Sequence, residues 1–307
     1  YCIQKDKGEW GMVKHLGLRA YGKINLGLDV LRKREDGYHE VRMIMQTVGI
    51  YDKIDMTCKE EPGITIDTNL YYLPTNENNL VYKAAQLLIE EFGIEKGIHI
   101  NLRKFIPVSA GMAGGSTDAA AVLFGMNKMF RLGLSKEQLM ERGLRIGADV
   151  PYCVMRGTAL SEGIGEILTP LPSLPPCHIL IAKPGISVST KFVYGNLHVK
   201  ELRPEQHPDI DGMVQEIKNK NLQEIVKNFG NVLETVTIPA YPVIQEIKDA
   251  MMKYGAMASL MSGSGPTVFG LFTTQAEAEK AYDRFRHGRE SELARQIYLT
   301  NFYNPRD

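Results

Sequence analysis

Hydrophobic and polar positions change their period along this chain, and the changes predict where elements begin and end. Leu16–Tyr21, Ile24–Leu31, Val41–Gly49 and Lys53–Thr57 are rich in β-branched and aliphatic residues and are separated by turn residues, which predicts four strands. From Asn79 to Phe92 the apolar positions follow helical spacing and stop at Gly93. A strand-like run from Ile98 to Ile106, strongest over Ile98–Leu102, leads into a glycine-rich turn and a largely apolar, Ala-rich helix from Ala119 to Phe130. Ser135, with Gln138 three residues on, predicts a capping box, and that helix ends near Gly147. Arg156–Thr169 reads as a hairpin turning at Glu162–Gly165.

Pro170, Pro172, Pro175 and Pro176 then punctuate the chain and predict a domain boundary, giving domains over 12–168 and 169–307. Beyond it come a strand at His178–Lys183, a short helix at Ser189–Asn196 and two helices within Asp209–Leu233. An amphipathic helix at Tyr241–Tyr254, strands at Ala256–Met261 and Thr267–Phe272, a helix at Gln275–Arg286 and a strand at Gln296–Phe302 complete it. Residues 1–11 are polar and read as an extension outside the fold.

Composition narrows the function classes. The chain has 307 residues, enough for two domains of ordinary size. Lys plus Arg and Asp plus Glu balance at 36 each, which argues against nucleic acid or an anionic membrane as the main partner. No apolar run reaches membrane-spanning length and no signal peptide is seen. The four cysteines lie far apart without metal-ligand spacing, so a reduced, cytoplasmic protein is expected.

Four segments carry candidate chemistry. In Pro107–Ala121, PVSAGMAGGSTDAAA, Gly111, Gly114 and Gly115 precede Ser116, Thr117 and Asp118. Glycine lets backbone approach a ligand closely, and a helix start offers unpaired N–H groups, so the segment suits a phosphate. The alternative is a close-packed strand-to-helix turn. Neither familiar nucleotide loop, the lysine-bearing one nor the dinucleotide fingerprint, occurs in the chain. In AYGKINLGL, Lys23 and Asn25 interrupt apolar strand residues, and their spacing puts them on one face. Lys23 is either an edge residue or a buried cation beside an amide. Asp149, in GADVP, either terminates a helix or waits at a turn as a carboxylate base. SGSGP at Ser262–Pro266 is either a glycine hairpin or a second wall of the same site.

Taken in order, AYGKINL, PVSAGMAGGSTDAA and MSGSGPTVF resemble the three motifs of the superfamily of galactokinase, homoserine kinase, mevalonate kinase and phosphomevalonate kinase (the GHMP kinases), over nearly the whole chain after Met12. DGYH at Asp36–His39, GADVP, the RGTAL hairpin with GIGEIL, and PGISVSTKFVY resemble one branch, which phosphorylates the 2-hydroxyl of a cytidine-diphosphate-linked methylerythritol in the non-mevalonate isoprenoid pathway. The resemblance implies an α+β, two-domain fold: an N-terminal ribosomal-protein-like, ATP-binding domain and a C-terminal ferredoxin-like, substrate-binding domain.

It further implies Lys23 and Asp149 as the catalytic pair and Asn25 as a polar neighbour positioning substrate. Tyr38 and His39 fall in the cytosine pocket, with Tyr194 stacking from the other side and Thr190 nearby. Asn79 and Lys104 match positions beside adenine. Pro107, Val108, Ser109, Ala110, Gly111, Met112, Ala113, Gly114, Gly115, Ser116 and Thr117 form the phosphate loop, and Gly263 and Gly265 the third loop. ATP with Mg²⁺ is the implied donor, with Ser116 or Thr117 as hydroxyl ligands and no carboxylate ligand identified. Ala113 stands where the family often has glycine, so that position is expected to need no left-handed backbone. A monomer or weak homodimer is expected. The alternatives are another small-molecule kinase of the superfamily, acting on homoserine or mevalonate, and a non-catalytic ligand-binding relative.

Overall fold

The computed structural model describes residues 2–7 and 13–305, with side chains from 13 onward. By contacts the chain divides differently from the cut expected after Leu168. One unit comprises Tyr1–Gly22, Ile50–Val108 and Ala113–Met155; the other comprises Lys23–Gly49, Ser109–Met112 and Arg156–Asp307.

The first unit contains β1 (Cys2–Lys7), the opening part of β2 (Val13–Lys33), the closing part of β3 (His39–Lys59), β4 (Ile64–Thr68), α1 (Leu80–Phe92), β5 (Gly97–Arg103), α2 (Gly114–Met129), α3 (Lys136–Leu144) and α4 (Val150–Met155). Cys2–Lys7 pair antiparallel with β2, so this part of the segment expected outside the fold joins the sheet; residues 1 and 8–12 lie outside the described residues. β5 pairs antiparallel with β3 and parallel with β4. Asn79 caps α1 and Gly93, at φ 59°, ends it in the left-handed region that glycine adopts without strain. The Ser135–Gln138 capping box is present on α3. α2 is buried from Thr117 through Leu123, which explains an apolar run without a polar face. Gly125 is obligatory there, because a Cβ would lie 2.3 Å from the Met56 sulfur.

The second unit carries the remainder of β2 and β3, with β6 (Thr158–Glu162), β7 (Ile167–Leu171), β8 (His178–Lys183), α5 (Thr190–Gly195), α6 (Ile210–Asn219), α7 (Leu222–Lys227), β9 (Gly230–Asn231), α8 (Glu234–Ala240), α9 (Val243–Lys253), β10 (Ala258–Met261), β11 (Val268–Phe272), α10 (Gln275–His287) and β12 (Gln296–Asn301). The expected hairpin is β6–β7, with β6 paired to β3. An antiparallel sheet in the order β10-β11-β8-β12 packs against α9 and α10, as the ferredoxin-like expectation required.

β2, β3, α8 and β4 differ from the pattern. The four expected N-terminal strands are two, each 21 residues long. β2 runs through Gly22–Lys23 because Lys23 and Asn25 satisfy each other, so the polar pair does not end the strand. β3 runs through Gly49, where a Cβ would meet the Thr300 hydroxyl at 2.7 Å. α8 was hidden by Pro239 near its end. β4 is a short strand on the sheet edge.

Candidate active site

Beginning with the second unit, Lys23 and Asn25 lie on buried β2, at 5% and 0% exposure. The Lys23 ammonium donates to Asn25 Oδ1 at 2.7 Å, and Lys23 N–H donates to the Met112 carbonyl at 3.1 Å. Among the described residues no carboxylate forms an ion pair with Lys23. Its charge is held by an amide and a desolvated wall, the condition in which a cation acts most strongly on an incoming anion. The sequence reading of a buried cation beside an amide therefore holds over an edge lysine.

The third loop is built against this strand. Ser262, fully buried, donates from Oγ to the Gly111 carbonyl at 2.9 Å, and the same oxygen accepts from Asn25 N–H at 3.3 Å. Gly111, at φ 72°, has no room for a side chain: a Cβ would lie 2.0 Å from the Ser262 carbonyl oxygen. Gly263 and Gly265 have φ 56° and 85°. SGSGP is thus packed on the glycine loop and is not a free hairpin.

The glycine loop has a specific backbone. Ser109, Gly111 and Ala113 have φ 50°, 72° and 54°, and the residues between them do not. Alternating backbone handedness gathers successive N–H groups into a concave, anion-binding nest. Ala113, contrary to expectation, is left-handed (φ 54°, ψ 32°) and directly precedes α2, which starts at Gly114, five residues before the expected Ala119. The missing glycine is replaced by a strained alanine, because the loop must reverse hand before the helix begins. Ser116 is half-buried in the first turn of α2. Thr117 is fully buried and donates its hydroxyl to the Tyr21 carbonyl at 2.7 Å, which removes it from the two expected metal-ligand hydroxyls.

In the first unit, Lys104 sits in a closed cluster. Its ammonium donates to Asp118 Oδ2 at 2.5 Å and also to Asp52 Oδ2, and all three side chains are at most 4% exposed. Asp52 Oδ1 accepts from the N–H groups of Phe105 and Ile106, fixing the chain as it enters the loop. Burial opposes the Lys104 charge, but Asp118 and Asp52 outweigh it and hold the ammonium above its ordinary pKa. Burial pushes the Asp118 carboxyl well above its usual range. The structure places Lys104 as an internal counter-ion, with its charge already spent. Asn79 is similarly engaged: Oδ1 caps α1 at the Val81 N–H and Nδ2 donates to the Pro74 carbonyl at 2.7 Å. Asp149 is half-buried and immediately precedes α4, with Pro151 in the first turn, where a missing N–H costs nothing. Among the described residues no hydrogen bond or ion pair engages its carboxylate.

On the second unit, His39 opens β3, and its ring lies 5.1 Å from that of Tyr194 on α5, tilted by 43°. Burial, then the charge of Lys33, lower the His39 pKa, favouring a neutral imidazole. Tyr38 is 60% exposed beside them in the chain. The Thr190 hydroxyl meets that of Ser264 at 2.8 Å. Asn231 and Asp52 carry no sequence signal, whereas Ser262, in SGSGP, and Asp118, in the STDAA run, lie inside segments singled out from sequence without a role of their own.

A glycine nest entering a buried helix, a desolvated lysine and a third glycine loop are the parts of a small-molecule kinase. The GHMP kinases N terminal domain matches residues 79–157, and the GHMP kinases C terminal domain residues 213–289. The chain belongs to the GHMP kinase family of phosphotransferases, enzymes that take ATP as phosphate donor. Within that family it is 54% identical over 292 residues to the 4-diphosphocytidyl-2-C-methyl-D-erythritol kinase of Lachnoclostridium phytofermentans, covering 95% of this chain and 99% of that one. It is 49% identical over 287 residues to the enzyme of the same name from Clostridium perfringens, covering 94% and 98%. A crystal structure of 4-(cytidine 5'-diphospho)-2C-methyl-D-erythritol kinase superposes with TM-score 0.78 at 29% identity, covering 94% of this chain and all of that one. Homoserine kinase from Cytophaga hutchinsonii, at 20% identity and TM-score 0.74, shares the fold.

No described helix is long and apolar enough to cross a membrane. Cys58, Cys153 and Cys177 form no disulfide among the described residues, and burial pushes the Cys177 thiol up to about 12.

Proposed function

We propose that the protein transfers the γ-phosphoryl group of ATP to the 2-hydroxyl of 4-diphosphocytidyl-2-C-methyl-D-erythritol, a step of the non-mevalonate route to isoprenoid precursors. The observation that carries this reading is the nest of Ser109, Gly111 and Ala113, joined through Met112 to the backbone of Lys23. Extensive identity to kinases named for that substrate supports it.

Phosphoryl transfer needs positioning and charge stabilisation more than covalent chemistry. The backbone of residues 107–117 cradles the phosphates. Lys23, which pairs with no carboxylate among the described residues, stabilises charge developing on the transferred group. Asp149 orients the acceptor hydroxyl and accepts its proton as the phosphoryl group moves. Asn25 fixes the Lys23 ammonium. Among the described residues no group of three acidic, His or Cys side chains could hold a metal. Ser116 is the residue that would contact Mg²⁺, which neutralises phosphate charge when bound. Asn79 and Lys104 act near adenine through backbone and shape, since their polar ends are engaged. The Tyr194 ring takes one face of cytosine, Tyr38 flanks the other, His39 reads a polar edge and Thr190 lines the approach.

The test is ADP release from ATP in the presence of the cytidyl substrate, beside 2-C-methylerythritol, homoserine and mevalonate. Turnover that requires the cytidine moiety supports the assignment. Equal or better turnover of homoserine or mevalonate assigns the chain to another branch, and ATP binding without transfer to any acceptor marks a non-catalytic relative.

A further inference from the structure

The segment Asn231-Val232-Leu233-Glu234 has no place in the chemistry above, yet every polar atom of its two functional side chains is committed. Asn231 is 5% exposed and lies on β9, whose register is set by parallel pairing with Gly27 and Leu28 of β2. Its Nδ2 donates to the carbonyls of Met261 at 2.8 Å and Gly263 at 2.7 Å, while Oδ1 accepts from Leu233 N–H at 3.0 Å. Glu234 Oε1 accepts from Met261 N–H at 2.8 Å, and Oε2 is held by the Lys248 ammonium at 2.6 Å. Both main-chain groups of Met261, and the carbonyl two residues on, are therefore gripped from one side. Met261 is the last β10 residue paired with β11, opposite Val268; beyond it Ser262 N–H donates to the Thr267 carbonyl at 2.9 Å and Gly265 N–H to the Ser262 carbonyl at 3.0 Å, so the side-chain grip on Met261 acts where the strand passes into the loop.

We propose that Asn231 and Glu234 are positioning residues for phosphoryl transfer: they fix the backbone of 261–263 and so aim the Ser262 hydroxyl at the glycine loop and at the strand bearing Lys23. This rests on the kinase reading above. Ser262 is the next residue after Met261, and its oxygen is shared between Gly111 and Asn25. Asn25 in turn holds the Lys23 ammonium. A shift of the 261–263 backbone passes through one hydroxyl to both the phosphate cradle and the catalytic cation. A misplacement of about 1 Å at a reacting centre costs on the order of 100-fold in rate. Thr237, donating to the Ser264 carbonyl at 3.4 Å, extends the grip by one more residue.

The experiment compares Asn231→Ala, Glu234→Ala and Glu234→Gln by kcat, by KM for both substrates, by unfolding temperature and by affinity for a non-hydrolysable ATP analogue. Asn231→Ala is expected to lose on the order of 100-fold in kcat while KM for the cytidyl substrate stays near wild type. Glu234→Gln keeps an oxygen for the Met261 N–H and should retain most of the activity that Glu234→Ala loses. A folded Asn231→Ala enzyme with wild-type kcat overturns the proposal. If that variant does not fold, equal activities of the two Glu234 variants overturn it instead. If the wild-type chain transfers nothing to the cytidyl compound, the function above fails on its own. The positioning role is then read from the analogue, whose affinity should fall about tenfold in Glu234→Ala, through the disturbed loop, and not in Glu234→Gln; equal affinities overturn it.

Discussion

Among the described residues two lysines are buried, and they are used in opposite ways. Lys104 is enclosed with Asp52 and Asp118, two carboxylates for one ammonium, so its charge is neutralised within the fold. Lys23 is as thoroughly buried, and among the described residues its ammonium meets the oxygen of Asn25 and no carboxylate. A buried cation with a full set of counter-ions is a strut. One left with a neutral partner retains its field for a ligand. Burial alone does not separate the two roles, and neither does lysine as a residue type; the charge balance within about 4 Å does.

The sharpest way to break this contrast is to remove each lysine. Lys23→Ala, like Asp149→Asn, should lower kcat by roughly two to four orders of magnitude, with ATP-analogue affinity and unfolding temperature largely kept. Lys104→Ala should strand two buried carboxylates and cost about 3–5 kcal/mol of stability, measured by denaturant unfolding. If Lys104→Ala unfolds like wild type and loses turnover instead, the two lysines have been assigned the wrong way round. A smaller effect is expected at the aromatic pair: Tyr194→Ala should raise KM for the cytidyl substrate about tenfold, the scale of one base–aromatic stack, and spare KM for ATP. Equal changes in both constants would remove the ring from cytosine.

The gentlest probe is pH. The folded-state pKa of Asp118 is raised above its unfolded value by burial, so the folded protein binds that proton more tightly. Its contribution to stability is complete below the unfolded pKa, about 3.9, and is lost as pH rises through the folded value. Asp118→Asn removes the titration and should flatten the fall in unfolding temperature as pH rises above the unfolded pKa toward the folded one. An unchanged pH profile would show that Asp118 is ionised throughout.

Much of this was legible in the sequence, for physical reasons that differ by region. α1, α3 and α10 announced themselves by apolar spacing and caps, because surface helices must show one polar face. The phosphate loop was legible because close backbone approach admits few residues besides glycine. Ala113 was misread for the same reason: the rule that alanine avoids the left-handed region describes a cost, and a site that over-determines the backbone can sustain it. The resemblance puts Lys104 near adenine; its ion pairs with Asp52 and Asp118 were not legible, because those residues lie 52 and 14 positions away and meet it only through the fold. Asn231 was not legible because what distinguishes it is bonding to main-chain carbonyls, which leaves no periodic trace.

The alternating handedness of Ser109, Gly111 and Ala113 carries one more consequence. An amide N–H gains and loses no proton across the range in which enzymes work, so a grip made of such groups has nothing to titrate. While the protein remains folded, the share of nucleotide affinity that comes from this cradle is the same in mild acid as in mild base, and any pH sensitivity in ATP binding traces to side chains or to the phosphates themselves.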